Sequence, residues 1–205
     1  MSSTKLKIII AALGLALIVP ATALAAGKKG KKAAKGKAMK GKKDGKAKMM
    51  MPQGPPEQMK QTKFFVGRWR CKGKFHGMPG VPAHDYKSTM NVKVELDGQW
   101  LAMRWAQKKS KVVKHPYKAM SLLGYDRAFN RFRSTSVDNM GGLSWARSSG
   151  WDGDKWVDLG KGRMGKNMFD SRSTITKKGK REISVLSEVK GADGWKTVAE
   201  ESCKR

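Results

Sequence analysis

Between residues 86 and 107, polar and apolar residues alternate with a period of two. YKSTMNVKVEL sets Met90, Val92, Val94 and Leu96 against Asn91, Lys93 and Glu95, the pattern of a strand with one buried face. Asp97-Gly98 follows, then QWLAMRWAQ, and two such runs joined by an Asp-Gly pair predict a hairpin with a two-residue turn. The same texture continues through YKAMSLLGY, NRFRSTSVD, LSWARSSGW, KWVDLGKGR, SRSTITKK, REISVLSEVK and GWKTVAEESC, separated by RAF, NMGG, DGD, KKGK and GADG. With VGRWRCKGKF at the start, this makes about ten strands. Nothing long and helical lies between them, so βαβ units are excluded. The pattern predicts an all-β, antiparallel up-and-down barrel, closed or nearly closed, with a β-sandwich as the competing fold. Before the first strand, EQMKQTKFFVG reads as a short helix, with Pro55 or Pro56 in its first turn where no donor is lost.

The N-terminal region has a different texture. Lys5 and Lys7 precede an unbroken apolar segment, Ile8 to Val19, followed by Pro20 and ATALAAG. That is the layout of a secretory signal peptide, with Ala23 and Ala25 fitting cleavage after Ala25. A membrane anchor is the competing reading, but the segment falls short of the ~20 apolar residues that span a bilayer. No cysteine stands near the cleavage point for a lipid. The expected location is therefore the periplasm or the extracellular space.

Charge then divides the mature chain. The formal net charge is +28; residues 27–51 supply eleven Lys against Asp44, and residues 52–205 carry +16. The run AGKKGKKAAKGKAMKGKKDGKAKMMM cannot bury enough apolar surface to offset the entropy of ordering it. The expected organisation is a signal peptide (1–25), a disordered Lys/Gly/Met-rich tail and linker (26–56) and a barrel domain (57–205). Lysine-rich composition names an anionic partner only. For an exported chain that partner is an envelope polymer or membrane surface rather than a specific nucleic acid, and a solubilising spacer is the plainer alternative.

Two cysteines test closure. Cys71 lies in the first strand and Cys203 in the last, which become neighbours when a meander closes on itself, and an oxidising compartment lets them pair. Two unpaired buried thiols are the alternative.

FFVGRWRCKG has the Gly-x-Trp entry, Gly67 and Trp69, of lipocalin-like and nitrobindin-like calycin barrels. LDGQWLAMRW, then LLGYDRAFNRFRSTSVDNMGG, then a basic-ended last strand are similar to a family of bacterial calycin-like domains of unknown function. There, one strand ends Gly-Tyr-Asp (here Gly124, Tyr125, Asp126) and the next near Asp-x-Met-Gly (here Asp138, Met140, Gly141). The resemblance covers roughly residues 57–205. It implies a roughly ten-stranded calycin-like barrel with an interior cavity, its Trp across the floor beside the N-terminal helix, and it implies no particular activity. The nitrobindin comparison would add haem on a histidine near the C-terminal end, but none follows His115.

The remaining chemistry points to binding. His76, His84 and His115 sit in Pro/Gly-rich connections; His76 with His84-Asp85 resembles a loop metal site, and solvated loop residues are the simpler reading. Met39, Met49, Met50, Met51 and Met59 are soft ligands able to hold Cu(I), or simply padding. No nucleophile elbow, phosphate loop or glycosidase carboxylate pair is present, so neither an enzyme nor a cofactor is expected. In QWLAMRWAQ both faces carry Trp: Trp100, Ala102 and Arg104 on one, Leu101, Met103 and Trp105 on the other. LSWARSSGW is similarly ambiguous, with Leu143, Trp145, Arg147 and Trp151 on one face. An interior formed by Trp100, Arg104, Tyr125, Asp126, Asp138 and Arg147 would take a small amphipathic or anionic ligand. Alternatively, the arginines pair with Asp126 or Asp138 in a packed core.

Overall fold

The computed structural model describes residues 54–78 and 81–205; the expected signal peptide and Lys-rich tail lie outside the described residues. The strands are β1 (Gly67–Phe75), β2 (His84–Glu95), β3 (Trp100–Gln107), β4 (Lys118–Asp126), β5 (Arg131–Asp138), β6 (Leu143–Ser148), β7 (Trp151–Asp152), β8 (Lys155–Met164), β9 (Asn167–Gly179), β10 (Glu182–Gly191) and β11 (Gly194–Lys204). Chain order is kept around the sheet. β1 pairs with β11, and β6 pairs with β8, so ten antiparallel strands close into a barrel while the two-residue β7 hangs on β8. Closure excludes the sandwich.

The first and last strands meet as their cysteines require. Cys71 stands directly opposite Cys203, Cα to Cα 4.0 Å, and a disulfide joins them across 132 residues of sequence. Both are buried, as is Trp69, while Arg68, Arg70 and Lys72 between them are exposed. The inward face of β1 is therefore the odd-numbered one. Pairing carries that assignment around the ring, because directly opposite residues share a face: Trp69 faces Met90, Met90 faces Trp105, Trp105 faces Ala119, and Ala119 faces Asp138.

The hairpin between β2 and β3 forms, but not with the two-residue turn its Asp-Gly suggests. Glu95 and Trp100 are the last pair, and Leu96–Gln99 connect them. Leu96, Asp97 and Gly98 all have positive φ (49°, 54° and 87°), which curls the chain away before Leu96 can join the strand. Leu96 is consequently exposed, and Val94, at the barrel's edge, is also largely exposed.

One end of the barrel is plugged. A 3-10 helix, Glu57–Phe65, lies across it with Met59, Thr62 and Phe65 buried. Phe65 stacks on Trp151 (5.2 Å) and meets Trp156 edge-on (5.3 Å), and Trp156 reaches Phe132 at 4.7 Å. Trp69 is fully buried and donates its indole N–H to the Phe65 carbonyl at 2.8 Å. Arg205, after the last strand, spans the outer side of this floor. Its guanidinium sits 5.1 Å from the Trp69 ring and its Nη1 donates to the carbonyls of Phe64 and Val66. Gly67 suits that passage: its φ is +128°, a conformation L side chains rarely adopt, and a Cβ there would come within 2.7 Å of Arg205 Cδ and displace that side chain.

Candidate functional site: the barrel lumen

Inside, the two halves of the barrel differ. Near the helix, inward residues such as Val92, Leu101, Leu123 and Ile183 are buried and apolar. Toward the other end, the inward positions of β4, β5 and β6 become Ser121, Ser134, Ser136 and Ser144, and those of β9 become Ser171 and Ser173. All of these keep partial contact with solvent. Serines that face inward yet stay wet describe a cup, packed at the floor and open at the mouth. A dry, filled interior would leave hydroxyls without water and would favour apolar residues at the same positions.

The charged groups that face into this cup are mainly carboxylates, with Lys196 at the mouth held by Asp193 at 3.3 Å. Glu201, two residues before Cys203 on the same face of β11, accepts hydrogen bonds from Ser88 Oγ (2.9 Å), Trp105 Nε1 (3.2 Å) and the Tyr86 hydroxyl. Burial raises its pKa, and those three donors pull it back down. The Tyr86 hydroxyl is driven well above its ordinary value, first by burial and then by the neighbouring Glu201 charge. Its ring lies across Gly73, where a Cβ would stand 2.6 Å from Tyr86 Cζ; glycine there lets the phenol reach Glu201. Asp138, at the mouth, accepts from the Tyr117 hydroxyl at 3.1 Å, and burial followed by the Asp138 charge raises the Tyr117 pKa as well. Asp158 on β8 takes the Trp156 indole N–H at 3.1 Å, and burial raises its pKa to about 6. Three aromatic rings run from Glu201 to Asp138, Tyr86 to Trp105 at 5.8 Å and Trp105 to Tyr117 at 5.5 Å, both edge to face. Lys177 and Arg205 are held at the closed end; Lys177 Nζ lies 3.8 Å over Trp151.

This geometry can be set beside known proteins. The family described as "Protein of unknown function (DUF1579)" matches residues 51–205. The chain belongs to that family. A comparison with curated proteins finds no match. Among solved structures, the crystal structure of Rv2717c from M. tuberculosis is similar, with a TM-score of 0.57 at 12% identity over 74% of this chain and 98% of that one. At that identity the likeness concerns the fold alone.

In this DUF1579 domain the residues singled out from sequence divide between the two faces. Tyr125 and Asp138 point inward. Tyr125 belongs to the floor, packed on Phe132 (5.0 Å) with its hydroxyl on Asn130. Asp138 braces the β5–β6 loop, accepting from the Met140 and Gly142 amides at 2.8 Å each. Trp100, Asp126, Arg104 and Arg147 are on the outer face, a correction to their expected place in the interior. Register is the cause, because Leu101 and Trp105 are inward by their pairing with Leu123 and Met90. Trp100 lies against Gly124, and Arg104 and Arg147 are exposed. Asp126 pairs with neither of those two arginines; it binds Arg133 Nε at 2.9 Å and caps the turn at Ala128 and Phe129. The acids of the Gly-Tyr-Asp and Asp-x-Met-Gly motifs thus hold loops.

The histidines stay apart from the cup's acids. His76 Nε2 is 3.1 Å from Glu200, and His84 bonds to Pro82 and Gln107. Among the described residues, the cluster of potential metal ligands is Cys71, Glu201 and Cys203, whose sulfurs are spent on the disulfide. Glu201, Tyr86, Asp158 and the inward serines escaped the sequence reading. Stepping back two residues from an inward Cys203 would have found Glu201.

Proposed function

We propose that this domain is an exported, calycin-like binding protein whose cup holds a small molecule with a cationic or hydrogen-bond-donating head and an apolar body. The observation that carries this reading is the inward Glu201, set among Tyr86, Trp105 and Ser88, with Asp138 nearer the mouth and Asp158 nearer the floor, in a domain otherwise strongly basic. An anionic ligand lost its basis when Arg104 and Arg147 turned outward. Aromatic faces beside a carboxylate are the usual means of holding a desolvated cation, and serine hydroxyls serve as donors or acceptors to a neutral head.

Calycin kinship is supported by Trp69 on the floor beside the 3-10 helix with a cation from beyond the last strand across it. Export is supported by the leader-like N-terminal sequence together with a disulfide, a bond that persists in oxidising compartments. No helix among the described residues is long and apolar enough to cross a membrane. The test is calorimetric titration of the full chain with two small probes of opposite charge, benzyltrimethylammonium and benzenesulfonate. Binding of the first, weakened by Glu201→Gln, is expected. Preference for the sulfonate, or indifference to Glu201→Gln, would refute the reading.

A further inference from the structure

We infer that the outer face of β4, β5, β6 and β8, four adjacent strands of the ring, is a docking surface for an anionic lipid bilayer. The inference is independent of what the cup holds. Outward residues on these strands should be polar if they meet only water. Instead Met120, Leu122, Val137, Trp145 and Leu159 stand there, each between 38% and 44% exposed.

Register makes them one patch. Leu122 is opposite Thr135, which is opposite Trp145; in the next row Met120 is opposite Val137, Val137 opposite Leu143, and Leu143 opposite Arg163. Apolar groups gathered over several neighbouring strands mark an interaction surface rather than ordinary scatter.

Charge selects the occupant. Arg147 stands opposite Leu159 and Arg163 opposite Leu143, and Arg104 on β3 borders the patch opposite Met120. None of these three arginines makes an ion pair among the described residues. Of the carboxylates on or bordering this face, Asp126 and Asp170 are neutralised by Arg133 at 2.9 Å and Lys161 at 2.7 Å, and Asp152 stands opposite Lys155 at the closed end. The face therefore offers aliphatic and indole groups to be buried and guanidinium groups to be paired. Anionic bilayers provide both: headgroup phosphates at the level of the arginines and acyl chains just beneath, with Trp at the boundary. A nucleic acid would engage the arginines and leave Met, Leu and Val without a partner. A second copy would bring like charges face to face and bury them unpaired.

The experiment is co-sedimentation of the full chain with vesicles of phosphatidylglycerol mixed into phosphatidylcholine, and with phosphatidylcholine alone. Two variants are compared with the parent, Leu122→Ser/Trp145→Ser and Arg104→Gln/Arg147→Gln/Arg163→Gln. All five positions point outward, so both should keep the parent's melting temperature and its disulfide. The parent should bind the anionic vesicles and not the neutral ones; the apolar variant should lose about tenfold in partitioning and the triple arginine variant about a hundredfold. The Lys-rich sequence at residues 27–51 would attract the same vesicles, so the apolar variant is also measured in salt that screens simple attraction. Parent-like binding by both variants would assign any association to that lysine run and overturn the inference. A parent that ignores the vesicles, or that self-associates in a manner the variants abolish, would overturn it equally. Benzyltrimethylammonium titration of the same variants keeps this result separate from the fate of the lumen proposal.

Discussion

Replacing Asp158 by Asn probes the cup's cost to the fold. The residue is partly buried on the inward face of β8, and its pKa rises from an ordinary 3.8 to about 6 because burial disfavours its charged form. A raised acid pKa means that the folded state holds the proton more tightly than the unfolded state. Its stabilising influence is complete below about pH 3.8 and is lost as pH climbs through 6; above that, the folded protein carries the whole penalty of a buried charge. Two pH units of displacement amount to about 3 kcal/mol. Asn keeps an oxygen to accept from Trp156, as a weaker acceptor, which returns about 1 kcal/mol of that gain. Asp158→Asn should therefore stabilise the protein by about 2 kcal/mol at pH 8, or about 4–8 °C in Tm for a domain of this size. At pH 4.5 only about 1 kcal/mol of penalty remains, so the gain should be near zero. Thermal unfolding followed by circular dichroism at both pH values decides it. An equal shift at the two pH values, or a loss at pH 8, would show that Asp158 is not held ionised against its surroundings.

Reducing the disulfide, or replacing Cys71 and Cys203 by Ser, should lower stability by up to about 4–5 kcal/mol given the 132-residue separation, read from chemical denaturation with and without reductant. Gly67→Ala should cost about 1–3 kcal/mol through the positive φ and the clash with Arg205; pairing it with Arg205→Ala should recover part of that loss if the clash contributes. Trp69→Phe, which strands the Phe65 carbonyl, should cost about 1–3 kcal/mol in the same assay.

Strand content was readable from the two-residue period because the outer face of an antiparallel barrel is wet and its floor is dry. Closure was readable from Cys71 and Cys203, whose places in the first and last strands leave a meander few ways to bring them together. The inward face of β3 was not readable. Trp100 and Trp105 have opposite parity, and only cross-strand register, anchored by Trp69 and Cys71 on β1, tells which one is inside. The serine lining was hidden for a different reason. Hydrophobic patterning identifies an interior by its dryness, and here Ser134 and Ser171 face inward with partial exposure and the polarity of a surface. Glu201 and Asp158 are concealed likewise, each being one acid in a chain where acids ordinarily mark the outside.

A hoop riveted at one joint must give way elsewhere. With β1 and β11 fastened through Cys71 and Cys203, the barrel's loosest link moves to its far side, where β6 spans six residues against eight in β3 and β5 and is held by a partner on each edge. Breathing of the wall, and any widening of the mouth to admit a guest, should begin there. Amide exchange at Ser144 and Ala146 should accordingly outpace that of Cys71 and Ser202, and cutting the rivet should even out the difference.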